Sequence, residues 1–180
     1  MKKHFTLVLM LTAFFFTAQA QKGDLRLGVG VDVAMPLGDF SEGYGIGLGG
    51  SVKGLYGLND DADITFTTGY LRFGMKDMPE DVSGSIGFIP LLAGYRHQFG
   101  GLYVEPQVGL TVTKSNFKIS GLEAFGISGS GTASSTDLGY AIGGGYLIDK
   151  LDLGIRFQGV SASGGSFNLI GFRAAYNFSL

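Results

Sequence analysis

An all-β chain of eight antiparallel strands, running up and down in order, is the fold class that three observations predict. After Gln21 side-chain character alternates with a period of two rather than 3.6. Most alternating runs are about ten residues, the length a tilted strand needs to cross a bilayer. The links between runs are alternately short and long.

The first run sets Leu25, Leu27, Val29, Val31, Val33 and Met35 on one face, against Arg26, Gly28, Gly30, Asp32 and Ala34. The second sets Tyr44, Ile46, Leu48, Gly50, Val52, Tyr56 and Leu58 against Gly45, Gly47, Gly49, Ser51, Lys53 and Gly57. The third, about 63–73, sets Ile64, Phe66 and Tyr70 against Thr65, Thr67 and Gly69. The fourth, 86–98, begins apolar on both faces, and its Ile89, Leu91, Ala93 and Tyr95 are assigned outward. The fifth sets Leu102, Val104, Pro106, Val108, Leu110 and Val112 against Tyr103, Glu105, Gln107, Gly109 and Thr111. The sixth sets Leu138, Tyr140, Ile142, Tyr146 and Ile148 against Gly139, Ala141, Gly143 and Gly145. The seventh sets Leu151, Leu153, Ile155 and Phe157 against Asp152, Gly154, Arg156 and Gln158. The eighth sets Ile170, Phe172, Ala174, Tyr176 and Phe178 against Gly171, Arg173, Ala175 and Asn177.

Tight turns fall at Asn59-Asp60-Asp61, Phe99-Gly100-Gly101 and Asp149-Lys150, and the longer links are 36–43, 74–85, 113–137 and 161–166. The 113–137 link is rich in Ser, Thr and Gly and reads as an exposed loop, with Lys114 and Lys118 as trypsin sites. A single domain over 21–180 is expected.

Composition narrows the class. The 180 residues include 32 glycines, 15 phenylalanines, 8 tyrosines and only 28 charged side chains, which excludes a disordered chain. Four prolines and no triplet period exclude collagen. A net charge of −2 with no Lys/Arg cluster after residue 3 excludes a nucleic-acid binder. Residues 1–20 have the form of a signal peptide: Lys2 and Lys3, an apolar stretch from Phe5 to Phe16, then Ala18-Gln19-Ala20, giving Gln21 as the mature N-terminus. The chain has no cysteine, which excludes lipoprotein anchoring, disulfides and thiolate chemistry.

The two faces decide what surrounds the barrel. One is nearly pure Leu, Val, Ile, Phe and Tyr; the other collects Arg26, Asp32, Lys53, Glu105, Gln107, Asp152, Arg156, Gln158, Arg173 and Asn177. A soluble barrel with an apolar core would have to bury the polar set unpaired. A membrane barrel turns it into a lumen and gives the apolar face to lipid. The tyrosines agree: Tyr56, Tyr95, Tyr103, Tyr146 and Tyr176 fall at one end of the strands, and Tyr44, Tyr70 and Tyr140 towards the other. Four inward cations (Arg26, Lys53, Arg156, Arg173) then meet three inward anions (Asp32, Glu105, Asp152). Glu105 and Asp32 are expected to bridge Arg156 and Arg173 as a charge network. Leu153 should face hydrocarbon near mid-depth, and Gly154 should tolerate serine.

With these features the chain resembles the small outer-membrane β-barrel proteins of Bacteroidota type, often labelled a porin family, with OmpA- or OmpX-like architecture. The resemblance rests on residues 25–35, on 88–110 (GFIPLLAGYRHQFGGLYVEPQVGL) and on the closing run IGFRAAYNF at 170–178. It implies an eight-stranded transmembrane β-barrel in the outer membrane and brings no catalytic residues. Tyr176 and Phe178 look like the alternating aromatics read by the barrel-assembly machinery, although Ser179-Leu180 follows them where the usual pattern ends in an aromatic.

Motifs for chemistry are sparse. Gly45-Ile46-Gly47-Leu48-Gly49-Gly50 has the spacing of a dinucleotide loop, but alternation continues through Leu58 where a helix is required. Asn59-Asp60-Asp61-Ala62-Asp63 lacks the spaced glutamate of a calcium loop and reads as a turn. Apart from His4 in the leader, His97 is the one histidine, and it sits beside a short turn with no G-x-S-x-G elbow anywhere. No catalytic, cofactor or metal site is therefore expected. The leading function is a non-enzymatic barrel with a side-chain-plugged lumen, acting structurally or through surface loops. A narrow pore for ions or small solutes is the alternative, and an outer-membrane lipid-modifying enzyme a remote one. Expected partners are outer-membrane lipids, the assembly machinery and external ligands at 74–85 and 113–137.

Overall fold

The computed structural model describes residues 23–79, 82–119, 129–162 and 165–180; the leader expected at 1–20 lies outside them. Eight strands follow in order: β1 (Leu25–Leu37), β2 (Tyr44–Asn59), β3 (Ala62–Met75), β4 (Val82–Phe99), β5 (Leu102–Ile119), β6 (Ser130–Ile148), β7 (Leu151–Ala162) and β8 (Gly165–Ser179). One helical turn, α1 (Asp39–Gly43), lies between β1 and β2. Every strand pairs antiparallel with the next, and β8 closes on β1 with Asp32 opposite Arg173. A closed ring leaves no strand edge unpaired, which lipid requires.

Alternation sets the two surfaces. Val31, Ile46, Leu48, Val108, Ile142 and Ile155 are bare on the outside, while Asp32, Lys53, Glu105, Asp152 and Arg173 are buried within. The outward assignment of Leu91, Ala93 and Tyr95 on β4 holds. Outward tyrosines lie over glycines of neighbouring segments: a side chain at Gly87 would strike Tyr70, one at Gly159 would strike Tyr140, and one at Gly101 would strike Tyr146. The rings cover the backbone where the glycine has nothing to offer. Inward Gly49 and Gly109 have another reason. A Cβ there would land on the carbonyl oxygens of Tyr70 and Leu91, so only glycine allows the strands this close approach.

The turns follow local chemistry. Asp61 N–H donates to the Asn59 side chain in the β2–β3 link. Gly100 and Asp149 take positive φ in the next two, conformations that glycine and aspartate tolerate.

Three expectations need correction. Residues 113–119 and 130–137 are not loop: they extend the β5–β6 hairpin, with Thr113 opposite Ser135 and Lys118 opposite Ser130. The paired arms carry Thr113, Thr132 and Thr136, and threonine favours a strand. The 74–85 link shrinks likewise, because Gly74 pairs with Ser85. Tyr44 does not join the outer face. A bulge between Tyr44 and Gly47 reverses its phase, and its ring lies 4.9 Å from Phe40 inside the barrel.

Candidate functional site: the barrel lumen

The lumen is filled in two layers. The upper layer, towards the side of the longer links, is apolar: Ala34, Leu71, Phe73, Ile86, Phe88 and Leu169 point inward. Phe40 of α1 drops into it, with ring centroids 5.1 Å from Phe73, 5.6 Å from Phe88 and 5.2 Å from Phe167. Gly38 makes this possible. Its φ of 58° turns the chain back over the opening so that α1 can place Phe40 there.

The lower layer is ionic and continuous. Lys53 (β2) donates to both oxygens of Glu105 (β5), at 2.9 and 2.7 Å. Arg96 (β4) donates to the same carboxylate through Nε and Nη2, at 3.0 and 2.8 Å. Thr65 and Gln107 complete its shell at 2.8 and 2.7 Å. The Arg96 Nη2 also reaches Asp152 (β7) at 3.0 Å, and its guanidinium lies 3.7 Å above the Tyr103 ring. The Tyr103 hydroxyl donates to Asp152 at 2.7 Å. Asp152 then faces Arg173 (β8) at 3.4 Å, whose Nε donates to Ser51 at 2.9 Å. Ser51 donates to Asp32 (β1), which faces Arg156 (β7) at 3.4 Å. The charged residues alone thereby tie six strands across the bore, and Thr65 adds β3.

Six of the seven charges read from the sequence thus share one network, and the seventh does not. Arg26 sits nearer the short-turn end and pairs with Asp63, to which Gln98 also donates at 3.0 Å. Glu105 does not bridge Arg156 and Arg173 as expected. Lys53 and Arg96 occupy it; Asp32 faces Arg156 and reaches Arg173 through Ser51, while Asp152 joins Arg173 to Arg96. Sequence reading missed Arg96, although its signal was present: with Tyr95 outward, the next residue must point in. Arg96 is fully buried. Gly154 is also corrected, because a Cβ there would meet the Tyr103 hydroxyl that holds Asp152.

Chemistry elsewhere is limited. Among the described residues no three His, Asp or Glu side chains converge to hold a metal. His97 lies on the outer face, its ring stacked 6.3 Å from Tyr95 and edge-on to Phe99 at 4.6 Å. The glycine run at 45–50 lies in β2, with no helix after it.

A closed eight-stranded barrel, apolar outside and charged within, defines the class: an outer-membrane β-barrel. The chain belongs to the outer membrane protein beta-barrel domain family, whose model matches residues 6–178. It resides in the cell outer membrane. No curated protein matches it in sequence. Among solved structures it is similar to Ail, the attachment invasion locus protein of Yersinia pestis, in complex with the heparin analogue sucrose octasulfate. The identity is 16% and the TM-score 0.67, over 88% of this chain and 100% of that one. Neisserial surface protein A is 14% identical, with TM-score 0.56 over 87% and 97%. The N-terminal barrel of Pseudomonas aeruginosa OprF is 16% identical, with TM-score 0.56 over 87% and 100%. At such identities the likeness is one of fold.

Proposed function

We propose that this protein is a non-enzymatic barrel whose lumen is plugged by its own side chains, and that it acts structurally or by presenting its external ends to partners. The observation that carries the reading is the filling of the bore. Between the ionic layer and the wall there remains a cavity of about 20 Å³ beside Lys53, Glu105, Arg156 and Arg173. That is room for roughly one water molecule. Eight strands make a bore that side chains can close, and here an aromatic layer lies above the ionic one. His97 supports the absence of catalysis, since its neighbours are aromatic rings on the outer face rather than a nucleophile and an orienting acid. On this reading β8, with Tyr176 and Phe178 side by side on the outer surface, is the segment offered to the barrel-assembly machinery. The β3–β4 and β5–β6 ends, within 74–85 and 113–137, are the surfaces open to external ligands.

Planar-bilayer recording of the purified barrel tests the plug. No steady conductance steps are expected at physiological salt. Reproducible steps from pure protein would establish the narrow pore instead. Loss of lipid modification in a His97→Ala variant, if the native protein modified lipid at all, would establish the enzyme.

A further inference from the structure

The exposed cations of the described barrel are unevenly placed. Arg72, Lys76, Lys114 and Lys118 all lie at the end of the longer links, which is the external side in outer-membrane barrels, on β3, β5 and the link after β3, whereas Lys150 alone marks the other end. Register brings two of them into one row: Arg72 pairs with Gly87, and Gly87 with Lys114. With strands about 4.8 Å apart, the two Cα atoms lie roughly 10 Å from each other. Nothing but a glycine stands between them. Tyr70 leans over that glycine, with its hydroxyl where a side chain at 87 would be. The next row up pairs Ser85 with Asn116, whose Oδ1 accepts from Thr132 and leaves its amide hydrogens for another acceptor. Arg72, Ser85, Asn116 and Lys118 line a hollow of about 210 Å³.

Depth places this cluster at the membrane boundary. All these residues share the outward phase of Phe66, Tyr70, Leu110 and Val112, so they face the bilayer side and not the lumen. Arg72 is ten residues above the β2–β3 turn, about 25 Å for a strand tilted near 40°. That is the height of the apolar band of an outer-membrane barrel. Arg72 and Lys114 are therefore the first side chains above hydrocarbon on their strands. Both are exposed, and neither has a hydrogen-bond or ion-pair partner among the described residues.

We propose that Arg72 and Lys114, with Tyr70 and Asn116, form a binding site for the phosphate of an outer-leaflet glycolipid headgroup. Arginine supplies a planar fork matched to phosphate oxygens, lysine a second positive charge, and tyrosine and asparagine neutral donors. The lipid's acyl chains then lie on Phe66, Leu91 and Leu110 directly below. A soluble phosphate would gain nothing from that apolar wall. The site thus selects a phosphate carried at the top of a hydrocarbon anchor.

The full barrel, refolded into phosphatidylcholine nanodiscs with a small fraction of bis-phosphorylated lipid A, tests the assignment by native mass spectrometry after delipidation. The native protein should retain lipid A at least tenfold better than Arg72→Gln/Lys114→Gln, and a Lys150→Gln control should match the native protein. Gel mobility shows whether each variant is folded. Should the double variant fail to fold, Arg72→Lys and Lys114→Gln alone should each lower retention severalfold. Equal retention of fully dephosphorylated lipid A, or full retention by the folded double variant, would overturn the site. Inorganic phosphate at millimolar concentration should not displace the lipid; displacement would show a soluble-phosphate site and overturn the headgroup assignment.

Discussion

Glu105→Gln strikes the most heavily bonded group in the lumen. Glu105 accepts from Lys53, Arg96, Thr65 and Gln107, all between 2.7 and 3.0 Å. Glutamine keeps one acceptor but turns an amide donor towards Lys53 and Arg96, which are donors themselves. It also leaves four cations of the network (Lys53, Arg96, Arg156, Arg173) facing two anions (Asp32, Asp152). Removing one partner of a buried pair usually costs about 3–5 kcal/mol, because the other charge is stranded. The small cavity beside Glu105 admits some hydration, so about 3 kcal/mol is expected. Lys53→Met in the same chain removes the stranded ammonium, and the two losses should then fall short of additivity by about 1–3 kcal/mol. Pairing Glu105→Gln with Arg156→Gln should show a smaller shortfall, since Arg156 faces Asp32. Urea titration from liposomes measures each loss. The chain has no tryptophan, so far-ultraviolet circular dichroism and gel mobility must report folding. A near-neutral Glu105→Gln, or losses that add fully with Lys53→Met, would refute the network.

Leu153→Arg should cost roughly 2–4 kcal/mol, because Leu153 lies near the centre of the outward run Leu151–Phe157 on β7; folding titrations in liposomes would show it. Gly154→Ser should lose about 1–3 kcal/mol in the same assay, since it displaces the Tyr103 hydroxyl from Asp152. Phe40→Ala removes the ring shared by Phe73, Phe88 and Phe167 and should cost about 3–5 kcal/mol. Planar-bilayer current should nevertheless stay at zero in that variant, because the ionic layer below it is untouched. Trypsin added to intact cells should leave Lys114 and Lys118 uncut, as both lie in the paired β5–β6 hairpin, and peptide mass mapping would detect either cut.

The barrel was legible because period-two alternation is a property of the backbone. A residue's parity assigns its face once one neighbour is placed, and lipid on one side makes the assignment visible. The same rule placed Lys53, Asp152, Arg156 and Arg173 in the lumen. Partners were less legible, because parity gives the face and not the height. Arg156 and Arg173 lie on adjacent strands, which suggested a shared carboxylate at Glu105. The register instead sets Arg173 opposite Asp32 and Gly154, so Asp32, with Ser51, links the two arginines and Asp152 ties Arg173 to Arg96. Arg96 was hidden by a run apolar on both faces, whose inner half serves the aromatic layer: Ile86 and Phe88 pack with Phe40. Tyr44 was misplaced because a bulge breaks parity without leaving a mark in composition.

The two layers of the lumen answer different physical needs. Apolar packing at the end of the longer links excludes water but tolerates many arrangements, since hydrophobic contact has little direction. The ionic layer is directional. Slipping one strand by a single residue would turn its charge out into lipid, where a cation near mid-depth costs about 2–4 kcal/mol. Lys53, Arg96, Glu105, Asp152, Arg156, Arg173 and Asp32 come from six strands, so a slip at any of them both breaks a buried pair and exposes a charge. The network therefore opposes misregistered closure more strongly than it stabilises the correct one, given how nearly a buried pair's desolvation offsets its attraction. Replacing the whole set with apolar residues of similar volume should on this argument leave stability nearly unchanged while lowering the yield of correctly closed barrels.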